Sequence, residues 1–404
     1  MEVRMASNKK KKWVRLRHKI VRALAYGVLV PFSTIRYGLK VKRMKEGRDR
    51  QYLILYNHQT PFDQFFVGMG FKRVVYYLAT EDIFSKGWIS ALLRYLVAPI
   101  PIKKQTTDVR AVMNCIQVAK EGGSIAIAPE GNRTYTGNLV NINSAIVPLA
   151  KKLGLPIVLY RIEGGYGVHP RWSDVVRKGG MCAYVARVIE PEEYAAMSND
   201  ELYNAILEGL NVNEDALTGP YKHKKNAEFL ERAIYYCPWC GFSALESNLD
   251  VIECKRCGRK VRHLDTKQLV GVDCDFPYTT VSEWYDAQCA FVNKLDPLAN
   301  TDEPLFRDTA SVQEVIVYKK KVMLAEKADI ALYSDKMVIG ESVLPFDEIS
   351  SFAVLGRNKL NLYYNKKVYQ IKGGKRFNAL KYLNLFHRYN NVRKGEENVE
   401  FLGL

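Results

Sequence analysis

Residues 54–66 read "ILYNHQTPFDQFF". An apolar run with strand character passes into Asn57-His58, then Pro61, then Asp63, and then aromatic residues. The chain spends only 6 histidines over 404 residues, so one at the end of a buried-looking run calls for a reason. Histidine is the side chain best suited to take a proton near neutral pH. A carboxylate against its other ring nitrogen fixes the tautomer and stabilises the imidazolium that forms. The spacing lets a strand end present His58 while Asp63 returns on the first turn of the following helix, with Pro61 at a favourable helix start.

Working outward, residues 50–190 alternate short apolar runs with helix-like stretches. "QYLILYN", "SIAIAPE", "IVLYRIEGG" and "MCAYVARVIE" read as strands, and "APIPIK" as extended. "KGWISALLRYL", "TDVRAVMNCIQVAKEGG", "INSAIVPLAKKLGLP" and "SNDELYNAILEGL" read as helices, the second ended by Gly122-Gly123 and the last capped by Ser198 or Asn199. This alternation predicts an α/β layered fold with a partly parallel, largely buried sheet. A second stretch, "IAIAPEGNRT" (125–134), again runs a strand into a tight turn. Gly131 permits backbone geometry that a Cβ resists, and Arg133 is suited to grip a phosphate through two parallel hydrogen bonds. Glu130 is placed to hold that arginine or to meet a polar acceptor.

Together, "NHQTPFD" (57–63) and "APEGNRT" (128–134) resemble the two signature blocks of the glycerolipid acyltransferase family, typified by lysophosphatidic acid acyltransferases. Order and distance match. Two further blocks correspond to "PIPIKK" (99–104) and "LPIVLY" (155–160), and the resemblance spans about residues 20–235. Ala128 stands where the family usually has Phe, Lys103-Lys104 where Asp-Arg is common, and "VNINSAIVPLA" lacks the usual Lys-Gly. Lysine binds phosphate as a point charge rather than as a fork.

The resemblance implies a reaction. His58, oriented by Asp63, removes the proton of an acceptor hydroxyl. The oxygen attacks the thioester of acyl-CoA or acyl carrier protein, and the thiol departs with the proton. Glu130, Gly131 and Arg133, with Lys103, Lys104 and Asn57, are expected to bind the acceptor, a lysophospholipid such as 1-acylglycerol-3-phosphate. No catalytic cofactor is expected.

A third stretch, "CPWCGFSALESNLDVIECKRCG", spaces Cys237, Cys240, Cys254 and Cys257 as two Cys-x2-Cys pairs, each followed by a glycine. That is zinc-ribbon spacing, with four thiolates closing a tetrahedron around a structural zinc. The other four cysteines are scattered, so a disulfide framework is not indicated. From residue 312 the texture becomes short alternating strands ending in "KRFNALKYLNLFHRYNN". A small antiparallel sheet capped by one helix fits, and it resembles pleckstrin-homology or GRAM-like domains. The expected organisation is a basic membrane-interfacial segment (1–50), an acyltransferase domain (51–235) ending in a connecting helix over 221–236, a zinc ribbon (236–262), a linker (263–311) and the β domain (312–404).

The formal net charge is +17, and residues 1–50 hold 16 Lys/Arg against 3 Asp/Glu. That field draws the N-terminus to an anionic membrane, nucleic acid or an acidic partner. Arg22 and Arg36 bracket too few uncharged residues for a span, whereas Trp13, Tyr26, Phe32 and Tyr37 suit a helix lying in the headgroup layer. The expected location is the cytoplasmic face of a membrane, peripheral or monotopic. The competing class is a nucleic-acid- or lipid-binding protein built on an inactive acyltransferase scaffold. The joint presence of His58, Asp63, Glu130 and Arg133, and the acidic "ALESNLDVIE" within the ribbon, weigh against it, so no nucleic-acid partner is expected.

Overall fold

The structure is a computed structural model that describes residues 12–47, 49–102, 108–299, 302–316 and 321–396. Its N-terminal half is built on seven strands: β1 (Leu39–Val41), β2 (Leu53–Tyr56), β3 (Val75–Thr80), β4 (Ile100–Ile102), β5 (Ser124–Ile127), β6 (Ile157–Glu163) and β7 (Met181–Ile189). Their order across the sheet is β1-β7-β6-β2-β5-β3-β4. All neighbours run parallel except β6 and β7. The expected mixed α/β, partly parallel architecture is present.

Period-2 alternation places β2 in two cores at once. Leu53 and Leu55 join Ile125, Ile127, Ile157 and Leu159 on one face. Ile54 and Tyr56 join Ala126, Val158 and Tyr160 on the other. Helices α4 (Val109–Lys120), α5 (Ile146–Leu153) and α8 (Asn199–Leu210) cover the first face; α1 (Leu16–Tyr37) and α2 (Asp63–Gly70) cover the second. (α3 is Trp88–Leu96; α6, Gly165–Val168, and α7, Pro191–Ala195, are single turns.) Ser198 and Glu201 form a reciprocal capping box at the start of α8.

Helix α1 packs on α2 and α3 and turns a stripe of Leu16, Ile20, Leu24, Val28 and Ile35 to solvent, as α3 does Trp88, Leu92 and Tyr95. Among the described residues, no helix is long and apolar enough to cross a membrane.

Residues 221–236 do not form the expected connecting helix. They hold only a β-bridge from Lys222 to Lys178, a short 3-10 turn at Leu230–Arg232 and the start of the strand Tyr236–Cys237, and Phe229 sits at φ +72°. The reason is the burial of residues 226–235 on nearly every side. Ala227, Leu230, Ala233, Ile234 and Tyr235 are all in the core, and the guanidinium of Arg232 bonds to the carbonyls of Trp172 and Lys375. Tertiary contacts override a helical propensity that lacks a solvated face. The stretch 263–311, expected to be a linker, also carries structure. Leu269–Val272 pairs with Lys260–His263, Val281–Asn293 is a helix with Trp284 and Val292 buried, and the last sheet starts at Phe306.

That last sheet has seven antiparallel strands. Phe306–Glu314 pairs with both Val322–Leu332 and Lys367–Gly373, and the helix Leu380–Arg393 closes one side. One hydrophobic core runs from Tyr135 and Trp172 through Leu230–Tyr235, the cysteine strands and the helix Val281–Asn293 into this half-barrel. The C-terminal half is therefore packed onto the N-terminal half rather than tethered to it.

Candidate active site

Strands β2 and β5 are parallel neighbours in register, Leu55 opposite Ile127, so the loops at their C-terminal ends leave the sheet side by side. Ligands in open α/β sheets bind at such carboxyl ends. The two signature stretches occupy these loops. The backbone N–H of Thr134 donates to the carbonyl of His58 (3.0 Å), and the backbone N–H of His58 donates to Oε1 of Glu130 (2.6 Å). The loops are thus stitched together at the histidine.

Nδ1 of His58 lies 2.8 Å from Oδ2 of Asp63. Asp63, at the start of α2, is fully buried and accepts the backbone N–H groups of Gln59 (2.7 Å) and Thr60 (2.9 Å) and the hydroxyl of Thr60 (2.5 Å). These donors fix the orientation of the carboxylate, which accepts Nδ1–H of His58 and leaves Nε2 with a free lone pair. Burial holds the His58 pKa below its ordinary 6.5; Asp63 opposes that, and Arg133 and Arg171 add to it. A neutral, half-buried imidazole with a fixed tautomer has the chemistry a general base requires.

Arg133 is 9% exposed, and its Nη1 has no hydrogen-bond partner among the described residues. Burial first, then Arg171 and Arg357, push its pKa down to about 9, with Asp63 and Tyr135 resisting. An unpaired buried guanidinium is costly unless an anion meets it. Gly131 takes φ +68° in the turn closed by its own N–H on the carbonyl of Ala128 (3.0 Å), the left-handed geometry its type implied.

Two expected acceptor ligands are used otherwise. Asn57 exchanges two hydrogen bonds with the backbone of Ile162 (2.8 and 2.7 Å), extending the β2–β6 pairing past the strand end. Glu130 accepts the N–H groups of His58 and Val140 and makes no ion pair with Arg133 among the described residues. Burial pushes its pKa up to about 8, so it is a largely protonated clasp between loops. A side chain committed to backbone groups positions the site rather than gripping substrate. Lys103 and Lys104 lie outside the described residues. A shallow cleft beside His58 is lined by Gln59, Glu130, Thr134, Leu139 and Val212.

Sequence reading missed Thr60, although a Thr three residues before a helix-starting Asp is a capping signal. It also missed Glu214, which accepts Nε2–H of Gln59 (2.8 Å) from far along the chain, with no local signal.

Residues 38–162 match the family model described as Acyltransferase. Over 180 residues the chain is 23% identical to a 1-acyl-sn-glycerol-3-phosphate acyltransferase of Bacillus subtilis (strain 168), covering 44% of this chain and 87% of that one. The protein is an acyltransferase. Over 129 residues its acyltransferase region is also 26% identical to the chloroplastic 1-acyl-sn-glycerol-3-phosphate acyltransferase BAT2 of Brassica napus, covering 31% of this chain and 36% of that one. Among solved structures, that of the 1-acyl-sn-glycerophosphate (LPA) acyltransferase PlsC from Thermotoga maritima aligns with 21% identity and a TM-score of 0.39, covering 48% of this chain and 80% of that one.

Away from this loop pair, the sulfurs of Cys237, Cys240, Cys254 and Cys257 all lie within 4.8 Å of one another, and those of Cys237 and Cys257 are 3.9 Å apart. Gly241 and Gly258 take φ +73° and +72° where the chain turns back around them. Four sulfurs each ~2.3 Å from a central zinc would stand ~3.8 Å apart, so the cluster fits a tetrahedral ion.

Proposed function

We propose that this acyltransferase moves a fatty acyl group from acyl-CoA or acyl carrier protein to the free hydroxyl of a lysophospholipid, 1-acylglycerol-3-phosphate being the first choice. Nε2 of His58 takes the hydroxyl proton, and Asp63 steadies the resulting imidazolium. The acceptor oxygen attacks the thioester carbonyl and forms the new ester bond. The thiolate leaves and takes the proton from His58, so the base is regenerated with no covalent enzyme intermediate. Arg133 receives the acceptor's phosphate. The observation that carries this reading is the His58–Asp63 pair standing on a loop hydrogen-bonded to the loop of Arg133, whose Nη1 has no partner among the described residues.

The exposed apolar stripes of α1 and α3, beside Arg15, Arg17 and Lys19, support docking in the headgroup layer at the cytoplasmic face of an anionic membrane. Cys237, Cys240, Cys254 and Cys257 would hold one structural zinc. The strand order of the half-barrel and its closing helix support a pleckstrin-homology- or GRAM-like reading of the last unit.

The test is transfer from labelled acyl-CoA and acyl carrier protein to a panel of lysophospholipids. Acylated product is expected with wild type, and His58→Ala should lose roughly 10²–10⁴-fold in rate with its circular dichroism unchanged. No transfer to any member of the panel would remove the reading.

A further inference from the structure

The C-terminal half-barrel reaches the catalytic loops through the turn between its strands Ile349–Leu355 and Lys359–Tyr364. Arg171, buried at 2% exposure, fastens that turn down. Its Nε donates to the carbonyl of Gly356 (3.1 Å), its Nη2 to that of Val354 (3.1 Å), and its Nη1 to that of Arg133 (2.7 Å). One guanidinium therefore joins the turn to the loop that carries the candidate phosphate ligand.

The turn brings in a second guanidinium. Arg357 donates from Nη1 to Asp174 (2.8 Å) and from Nη2 to Nε2 of His169 (2.7 Å). Because Nε2 of His169 accepts, its Nδ1–H must point at the hydroxyl of Tyr37, 3.0 Å away. Burial, followed by Arg357 and Arg133, drives the His169 pKa down to about 3, so this imidazole carries no charge. Among the described residues Arg357 keeps further N–H groups unspent, and it remains partly exposed.

The charges at this junction do not balance. Among the described residues, Arg133, Arg171, Arg232 and Arg357 stand against two carboxylates, Asp63 and Asp174, while burial keeps Glu130 largely protonated. Asp63 already serves His58, and Asp174 is shared by Arg232 and Arg357. Arg171 is satisfied by carbonyls alone among the described residues, which leaves its charge uncompensated. Two positive charges in excess, one on a guanidinium with an orphaned Nη1, suit a dianionic phosphate monoester.

We propose that the C-terminal half-barrel completes the acceptor site, with Arg357 joining Arg133 on the acceptor's phosphate monoester and Arg171 holding the two together. The identity of the ligand rests on the function proposed above; the existence of the site does not. Arg357 is thus a specificity residue supplied by a unit outside the region that matches the acyltransferase family model, residues 38–162.

Glycerol 3-phosphate, titrated calorimetrically into the full chain, reads the site without turnover. Wild type should bind it, and Arg357→Ala should weaken binding about tenfold or more, with Arg357→Lys restoring part of the loss. In the transfer assay the acceptor KM should rise by a similar factor, kcat should change much less, and the acyl-donor KM should stay put. If Arg357→Ala does not fold, Arg357→Gln, which keeps a donor for His169 and removes the charge, gives the same readings. A wild type that binds no glycerol 3-phosphate, variants that bind as wild type does, or a rise confined to the donor KM would each overturn the proposal. Binding lost in Arg357→Ala supports it even where no lysophospholipid is acylated, which would sink only the proposed reaction.

Discussion

The ammonium of Lys267 lies 3.4 Å from the carboxylate of Glu214, and both side chains are shut off from water. Lys267 sits on the turn after the strand Lys260–His263, directly beyond the cysteine module. Glu214 also accepts Nε2–H of Gln59, next to His58. The turn beyond the cysteine module thereby supports the loop that carries His58 from behind. Removing one partner of a buried ion pair strands the other, at a cost of about 3–5 kcal/mol. Lys267→Met should lose stability on that order in urea titration, and Lys267→Met with Glu214→Gln should lose clearly less. Equal losses in the single and double variants would show that the pair is not coupled.

Catalysis should follow the protonation of His58. Its pKa is held below 6.5, chiefly by burial, and only the neutral ring accepts a proton. kcat/KM should therefore climb with pH to a midpoint under 6.5 and then level off. Asp63→Asn should lower kcat roughly 10²–10⁴-fold, because an amide no longer dictates the tautomer. An activity limb that rises only above neutral pH would point to another base.

Glu130 predicts an opposite trend in stability. Its carboxyl rises from 4.5 to about 8 on folding, mainly through burial. Between those values the folded chain holds a proton that the unfolded chain has released, so this group's contribution is lost as pH climbs through the window. Glu130→Gln should flatten that decline. Urea midpoints for both proteins at several pH values between 5 and 8.5 measure the difference.

Metal content tests the cysteine cluster. About one zinc per chain is expected by elemental analysis, falling to background in Cys237→Ser with Cys254→Ser. Because the module shares a core with the helix Val281–Asn293 and the half-barrel, chelation should lower the thermal midpoint of the C-terminal half as a whole. Wild type purified with no metal and an unchanged melt in chelator would dismiss the structural ion.

Membrane docking through the α1 and α3 stripes can be read by co-sedimentation with anionic vesicles. Leu24→Glu or Trp88→Glu removes an exposed apolar side chain whose burial is worth about 1.5–3 kcal/mol, so the bound fraction should reflect a tenfold or greater loss in partitioning. Ser198, remote from the stripe on the cap of α8, serves as a control position. Unchanged partitioning in both stripe variants would free that face for another role.

What the sequence determined by itself was local. Short continuous apolar runs marked β2, β5 and β6, helical spacing marked α4, α5 and α8, and the five-residue step from His58 to Asp63 set their pairing, because these depend on neighbours along the chain. The paired Cys-x2-Cys spacing likewise brought four sulfurs together. Tertiary structure decided the rest. The stretch 221–236 lost its helix because residues 226–235 are buried on nearly every side, Asn57 and Glu130 were drawn to the backbone, and Arg171 and Arg357 arrived beside Arg133 from 38 residues away and from a separate sheet. A buried polar group takes whichever partner the packed chain sets within reach, and no pattern of sequential neighbours encodes that choice.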